Sequence, residues 1–245
     1  MSTKIFAHRG ASKYAPENTM AAFRLAELMQ ADGIETDVQL TKDQVPVIIH
    51  DESINRTTNK RGLVRNLTYD ELRQADAGAW FSRDYAGEQI ISLDDFLKWI
   101  KPTSMLLNLE LKTNKYPYQG IERIVLDLLD LHAMKDRTMI SSFNADTIRR
   151  IADLDPIIDT GFLTSRRPRQ LFALMEDMGA KALHPKFRLL NKKLIQECLQ
   201  HNVPIRVYTV NQPVYILRAL EAGCDVIISD VPDRALELKK GYITS

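Results

Sequence analysis

Two histidines, three carboxylates and two cations stand at or near the ends of apolar, strand-like runs in this chain. "KIFAH" closes on His8 and Arg9, "GIETDVQL" carries Glu35 and Asp37, "PVIIHD" reaches His50, and "SMLLNLEL" passes through Glu110 to Lys112. His184 and the stretch Tyr208-Thr209-Val210-Asn211 end two later runs. A core would place Val, Ile or Leu at such positions, because burying a carboxylate without a partner is costly. Glu35 and Asp37 are two residues apart, so on a strand their side chains share one face. A hairpin turning at Asp43-Gln44 would set Asp37 opposite His50 and bring all three to that face. Glycine is the usual residue where Gln44 stands, and a slip of one residue would turn His50 away.

Glu35, Asp37 and Glu110, with no cysteine nearby, form a hard oxygen-donor set that suits Mg²⁺ or Ca²⁺ better than zinc. His8 and His50 would flank such an ion. Imidazole titrates near neutrality, so one can accept a proton while the other donates. Arg9 and Lys112 add the cationic donors that a phosphate requires. Together these groups point to acid–base chemistry on a metal-bound phosphate ester. Each has a plainer reading alone: Glu35 and Asp37 as a solvated strand edge, His8 as a turn histidine, Glu110 with Lys112 as an ion pair, Tyr208 as barrel packing. A single phosphodiester site accounts for most of them at once.

The elements that must position these residues alternate along the chain. Short apolar runs alternate with amphipathic stretches such as "ENTMAAFRLAELMQ", where Met20, Phe23, Ala26 and Leu28 fall on one helical side. "SLDDFLKWI", "IERIVLDLLDLHAM" and "NADTIRRIADL", the last capped by Asn144, read as helices. Eight such units in 245 residues predict an α/β fold, a TIM (β/α)8 barrel, with an open doubly wound sheet as the alternative. Residues 51–90 are polar and glycine-punctuated and read as a small insertion after the second strand, within a single domain spanning 1–245.

Composition narrows the class further. Hydrophobic residues make up 44% and charged residues 27%, enough for a large core. With a net charge of +1, no nucleic-acid partner is expected, and Asn59-Lys60-Arg61 and Ser165-Arg166-Arg167 read as solvated loops. Cys198 and Cys224 read as small buried thiols. Without a leader pattern or an apolar run approaching the roughly 18–20 residues of a membrane span, a cytoplasmic protein with no membrane anchor is expected.

The order "HRG … PENT … ETD … PVIIHD … ELK … YTVN", with the closing "DVIISDVP", resembles the glycerophosphodiester phosphodiesterase family of bacterial, soluble type over nearly the whole chain. The resemblance implies a TIM barrel with an insertion after the second strand. It implies a divalent metal, Ca²⁺ or Mg²⁺, held by Glu35, Asp37 and Glu110. It implies catalysis by His8 and His50, phosphate contacts from Arg9 and Lys112, an aromatic wall at Tyr208, and a site-shaping role for Glu17 and Asn18. The expected reaction is hydrolysis of a small glycerophosphodiester to sn-glycerol 3-phosphate and an alcohol, with His50 taken as base and His8 as acid. The nucleophile, water or the substrate's own glycerol hydroxyl, is left open, as are the alcohol, the metal and the oligomeric state. The alternatives are a lysophospholipase D-like or cyclising phosphodiesterase on the same fold, a catalytically silent phosphate-binding protein, and, more remotely, a metal-dependent aldolase or isomerase.

Overall fold

The computed structural model describes residues 3–244. In chain order the elements are β1 (Lys4–His8), α1 (Met20–Leu28), β2 (Gly33–Leu40), β3 (Pro46–Ile48), α2 (Tyr69–Arg73), α3 (Leu93–Ile100), β4 (Leu106–Leu111), α4 (Ile121–Leu131) and β5 (Thr138–Ser142). They continue as α5 (Ala145–Leu154), β6 (Asp159–Thr164), α6 (Leu171–Asp177), β7 (Ala182–Pro185), α7 (Lys192–Gln200), β8 (Arg206–Val207), α8 (Pro213–Glu221), β9 (Val226–Ser229) and α9 (Pro232–Thr244).

Every strand except β3 pairs in parallel, in the spatial order β7-β6-β5-β4-β2-β1-β9-β8. Two further parallel bridges, Leu183 with Ile205 and Lys186 with Tyr208, join β7 to β8 and complete the ring. This is a (β/α)8 barrel. An open doubly wound sheet would reverse its strand order partway, and here the order runs round without reversal.

Alternation within each strand sorts the core into two zones. Leu107, Leu109 and Leu111 of β4 point outward and pack with Phe96 and Leu97 of α3 and Val125 and Leu129 of α4. Phe6, Met139, Val226 and Ile228 form a smaller cluster inside the ring. The residues alternating with the outward leucines, Asn108 and Glu110, therefore face the barrel axis.

Helix starts follow cap chemistry. Thr19 accepts from the Ala22 N–H, Ser92 from Asp95 and Asn144 from Asp146. Leu28 does not join the apolar side expected of α1: that face is Ala22, Phe23 and Ala26, and Leu28 is 79% exposed. The helix starts at Met20 and ends at Leu28, so its last residue lies at the open end of the cylinder.

The hairpin register also differs from the expected one. β2 and β3 pair Val38 with Ile48, Gln39 with Val47 and Leu40 with Pro46. Asp37 is thus opposite Ile49, whose N–H donates to the Asp37 carbonyl at 3.0 Å. The cause is a three-residue loop, Lys42 to Gln44, instead of two. Gln44 takes the left-handed conformation at φ 63° that glycine usually supplies, and Thr41 N–H donates to the Val45 carbonyl at 3.1 Å.

Residues 51–90 contain α2 and short 3₁₀ turns. Ile54, Val64, Leu72, Ala75, Ala77 and Ile90 cluster with Val47 and Ile49, which fastens this segment onto the hairpin. The strand expected over "PIRVYTV" is short, only Arg206–Val207, with Tyr208 held by its bridge to Lys186.

Candidate active site

β2 and β4 bring the three carboxylates together, since Asp37 and Glu110 are register partners and Glu35 lies one inward step below. One oxygen from each falls within 4.8 Å of the others, the spacing of a shared cation. All three are buried, at 4%, 0% and 7% exposure. Burial, then Asp37 and Glu110, push the Glu35 carboxyl well above its ordinary range. Burial also raises Glu110, joined by Asp37 and opposed by Lys112. Asp37 goes the other way: burial works against its charge, but Arg9, Lys112 and His50 outweigh it and hold the carboxylate ionised.

Three clustered carboxylates against two cations form a site short of positive charge. The Oδ1 of Asp37 is buried without a hydrogen bond, with Lys112 Nζ at 3.7 Å, beyond hydrogen-bond length. An orphaned buried carboxylate oxygen amid hard donors fits a divalent cation.

The cations approach from opposite sides. Lys112 Nζ donates to Glu110 Oε1 at 2.8 Å. Arg9 leaves β1 in the left-handed region at φ 56°, and its N–H donates to the Glu35 carbonyl at 2.7 Å. Its guanidinium lies 3.3 Å from Asp37 Oδ2 and 2.9 Å from Glu17 Oε1. Asn18 orients the central carboxylate: its Nδ2 donates to Asp37 Oδ2 at 3.0 Å, while its Oδ1 accepts from Thr36 at 2.7 Å. Glu17 and Asn18 thus both line the site.

Each histidine has a carboxylate on Nδ1, which leaves Nε2 for chemistry. His8 Nδ1 is 2.6 Å from Asp230 Oδ1, and its Nε2 is 3.8 Å from Glu35 Oε2. Asp230 also accepts from Ser12 at 3.1 Å and Asn211 at 2.5 Å. His50 Nδ1 is 2.7 Å from Asp51 Oδ1. Burial opposes the Asp51 charge, but Arg56 and His50 bring its carboxyl down to about 2.

His50 stays with the site despite the shifted register, because the chain leaves the ladder at Ile48 and bends. Gln39, fully buried on β2, fixes that bend. Its Nε2 lies 3.1, 3.0 and 2.7 Å from the carbonyls of Ile49, His50 and Asp51, and its Oε1 accepts from the Tyr118 hydroxyl at 2.8 Å. Arg56, from the 51–90 segment, forks onto both Asp51 and Glu17 at 2.7–3.1 Å. An unbroken chain of contacts therefore runs from His50 by a hydrogen bond to Asp51 and on by ion pairs through Arg56 and Glu17 to Arg9.

Tyr208 closes the opposite side. Its ring meets Phe143 edge-on at 6.0 Å, and its hydroxyl is buried without a partner near Glu110. His184 lies deeper, fully buried with neither ring nitrogen bonded. Burial, then Arg206, pulls its pKa well below the ordinary value and keeps it neutral. It sits over Gly161, where an added Cβ would come within 2.2 Å of its Nε2.

Arg56 and Gln39 lie outside the residues that the sequence marks, while Asp51, Asn211 and Asp230 stand only within the stretches "PVIIHD", "YTVN" and "DVIISDVP", with no role of their own. Asp230 closes a strand-like run just as His8 and Glu110 do, and Asp51 directly follows His50, so both carried a readable signal. Arg56 and Gln39 carried none, because their roles arise from a loop path.

The chain matches the Glycerophosphoryl diester phosphodiesterase family over residues 8–234. A glycerophosphodiester phosphodiesterase of Caldanaerobacter subterraneus subsp. tengcongensis is 37% identical over 242 residues, covering 98% of this chain and 100% of its own. One from Bacillus altitudinis is 38% identical over 241 residues, 97% and 98% of the two chains. Among solved structures, an Oleispira antarctica phosphodiesterase in complex with the product sn-glycerol-3-phosphate superimposes with a TM-score of 0.93 at 30% identity, covering 100% of this chain and 98% of that one.

Proposed function

The chain belongs to the glycerophosphoryl diester phosphodiesterase family, and from that membership we propose that it cleaves glycerophosphodiesters to sn-glycerol 3-phosphate and an alcohol by histidine acid–base catalysis at a divalent-metal site. The observation that carries the reading is one barrel mouth holding a buried carboxylate triad flanked by two histidines, each with its own carboxylate. Glu35, Asp37 and Glu110 would hold Ca²⁺ or Mg²⁺. When bound, the cation supplies charge neutralisation at the phosphate and acidifies the adjacent glycerol hydroxyl.

Arg9 and Lys112 bind the phosphate oxygens and stabilise the charge that grows on them in the transition state. Both side chains are held by carboxylates, so little reorganisation is needed when the substrate arrives. Asn18 and Glu17 fix Asp37 and Arg9, and Tyr208 walls the leaving side. One histidine takes the nucleophile's proton at Nε2, and the other returns a proton to the departing alkoxide. Asp230 meets only neutral donors besides His8, whereas Asp51 shares its charge with Arg56. That difference favours His8 as donor and His50 as acceptor. Among the described residues no helix is long and apolar enough to cross a membrane.

The reading is tested by following glycerol 3-phosphate release from a panel of glycerophosphodiesters with Ca²⁺, with Mg²⁺ and with EDTA. Release that needs the metal is expected. Its absence from every substrate removes the proposal.

Arg56 touches neither metal nor phosphate in this reading, yet it braces His50 and Arg9 at once. Arg56→Ala should lower kcat by about 10–100-fold, the usual cost of losing an outer support. KM should change less, and added guanidinium should recover part of the rate. Wild-type kcat would show that the bracing is dispensable.

A further inference from the structure

We propose that the loops after β6 and β7 form a subsite for a leaving alcohol that carries its own phosphate, so that this chain favours glycerophosphodiesters with an anionic second group. The proposal rests on the phosphodiesterase reading and adds the substrate class. The loop after β6 contains Arg166, Arg167 and Arg169, the loop after β7 Lys186 and Arg188, and residues 165–170 and 186–190 contain no carboxylate. Five cations thus gather on the catalytic face of a protein whose net charge is +1.

These loops act as one surface. Arg188 crosses between them, its Nη2 donating to the Ser165 carbonyl at 2.8 Å. Arg167 is spent on Glu197 of α7, at 2.6 Å. The exposed side chains of Arg166, Arg169 and Lys186 form no ion pair among the described residues.

Their position ties them to the reaction. Ala182 and His184 face the barrel interior, and Lys186 is next on that face, bridged through its backbone to Tyr208. Tyr208, bridged to Lys186, thus has its hydroxyl within electrostatic reach of both Glu110 and Arg188. With the Glu17–Arg56–Asp51 pairs on one side of a phosphate held by Arg9 and Lys112, the loops after β6 and β7 offer its leaving group the cationic side of the mouth. Unpaired cations there attract a second phosphate, are indifferent to a neutral alcohol, and repel a quaternary ammonium.

The test compares kcat/KM for glycerophosphocholine, glycerophosphoglycerol, and glycerophosphoglycerol phosphorylated on its far glycerol, at low and moderate salt. The phosphorylated substrate should be preferred over the neutral one by about tenfold, with the preference shrinking as salt rises. Arg166→Glu with Lys186→Glu should erase the preference and leave the neutral substrate within about twofold of wild type. Equal kcat/KM for the three, or a preference that survives the double substitution, overturns the subsite. Loss of binding to phosphatidylglycerol vesicles in that variant, with no change in substrate preference, would assign the loops to an anionic membrane and also overturn it. Failure to release glycerol 3-phosphate from any of the three would instead bring down the phosphodiesterase reading beneath it.

Discussion

Asp37→Asn will fold and will release glycerol 3-phosphate on the order of 10³-fold more slowly than the parent, because several kcal/mol of transition-state charge stabilisation leave with the metal. Asp37 is the fully buried carboxylate that both Arg9, at 3.3 Å, and Lys112, at 3.7 Å, approach, and Asn18 already hydrogen-bonds one of its oxygens. Asparagine keeps the shape and removes the charge, so a structural cause is separable from an electrostatic one by circular dichroism. Calorimetric titration with Ca²⁺ or Mg²⁺ should show the heat of binding lost in the same variant. Turnover within tenfold of wild type and undiminished metal affinity would together sink the triad as the metal site.

The same cluster sets a pH dependence with a definite sign. In chelated protein Glu35 and Glu110 are pushed above their ordinary value of 4.5, so the folded chain holds more protons than the unfolded one as pH rises past that value. Stability then falls with rising pH in this window. Asp37 acts in the opposite sense, but below its ordinary 3.8. Metal should therefore raise the melting temperature more at neutral pH than at pH 4.5. An equal rise at both values would contradict the reading.

His8→Ala and His50→Ala should each lower kcat by on the order of 10²–10⁴, the range for positioned acid–base groups. A p-nitrophenyl ester of glycerol phosphate separates the two roles, because its leaving phenolate departs without a proton. With that substrate His8→Ala should recover most of its rate and His50→Ala should not. The reverse pattern would exchange acid and base, and near-normal turnover in both variants with alkyl esters would discard the pair.

Much of this site is legible in the sequence. The alternation in "LLNLEL" separates outward leucines from inward Asn108 and Glu110, and the barrel rule then sends every strand-end polar group to one face. What was not legible depends on backbone paths that side-chain types do not announce. Gln44 takes a left-handed conformation unusual for glutamine, which adds a residue to the hairpin loop and moves the register by one. Leu28 fits the apolar period of α1, but the period carries no information on where the helix stops. Arg56 lies in a polar stretch where nothing distinguishes it from Arg61 or Arg65, and only the loop's path brings it between Asp51 and Glu17.

The grip of Gln39 on the bend at His50 has a further consequence. A histidine presented by a strand would move with every change in the turn that sets that strand's register. Here the bend is moored to β2 directly, so the turn from Lys42 to Gln44 is released from any duty to the chemistry. Length changes at that turn should be tolerated by the catalytic geometry, while loss of one interior amide should not.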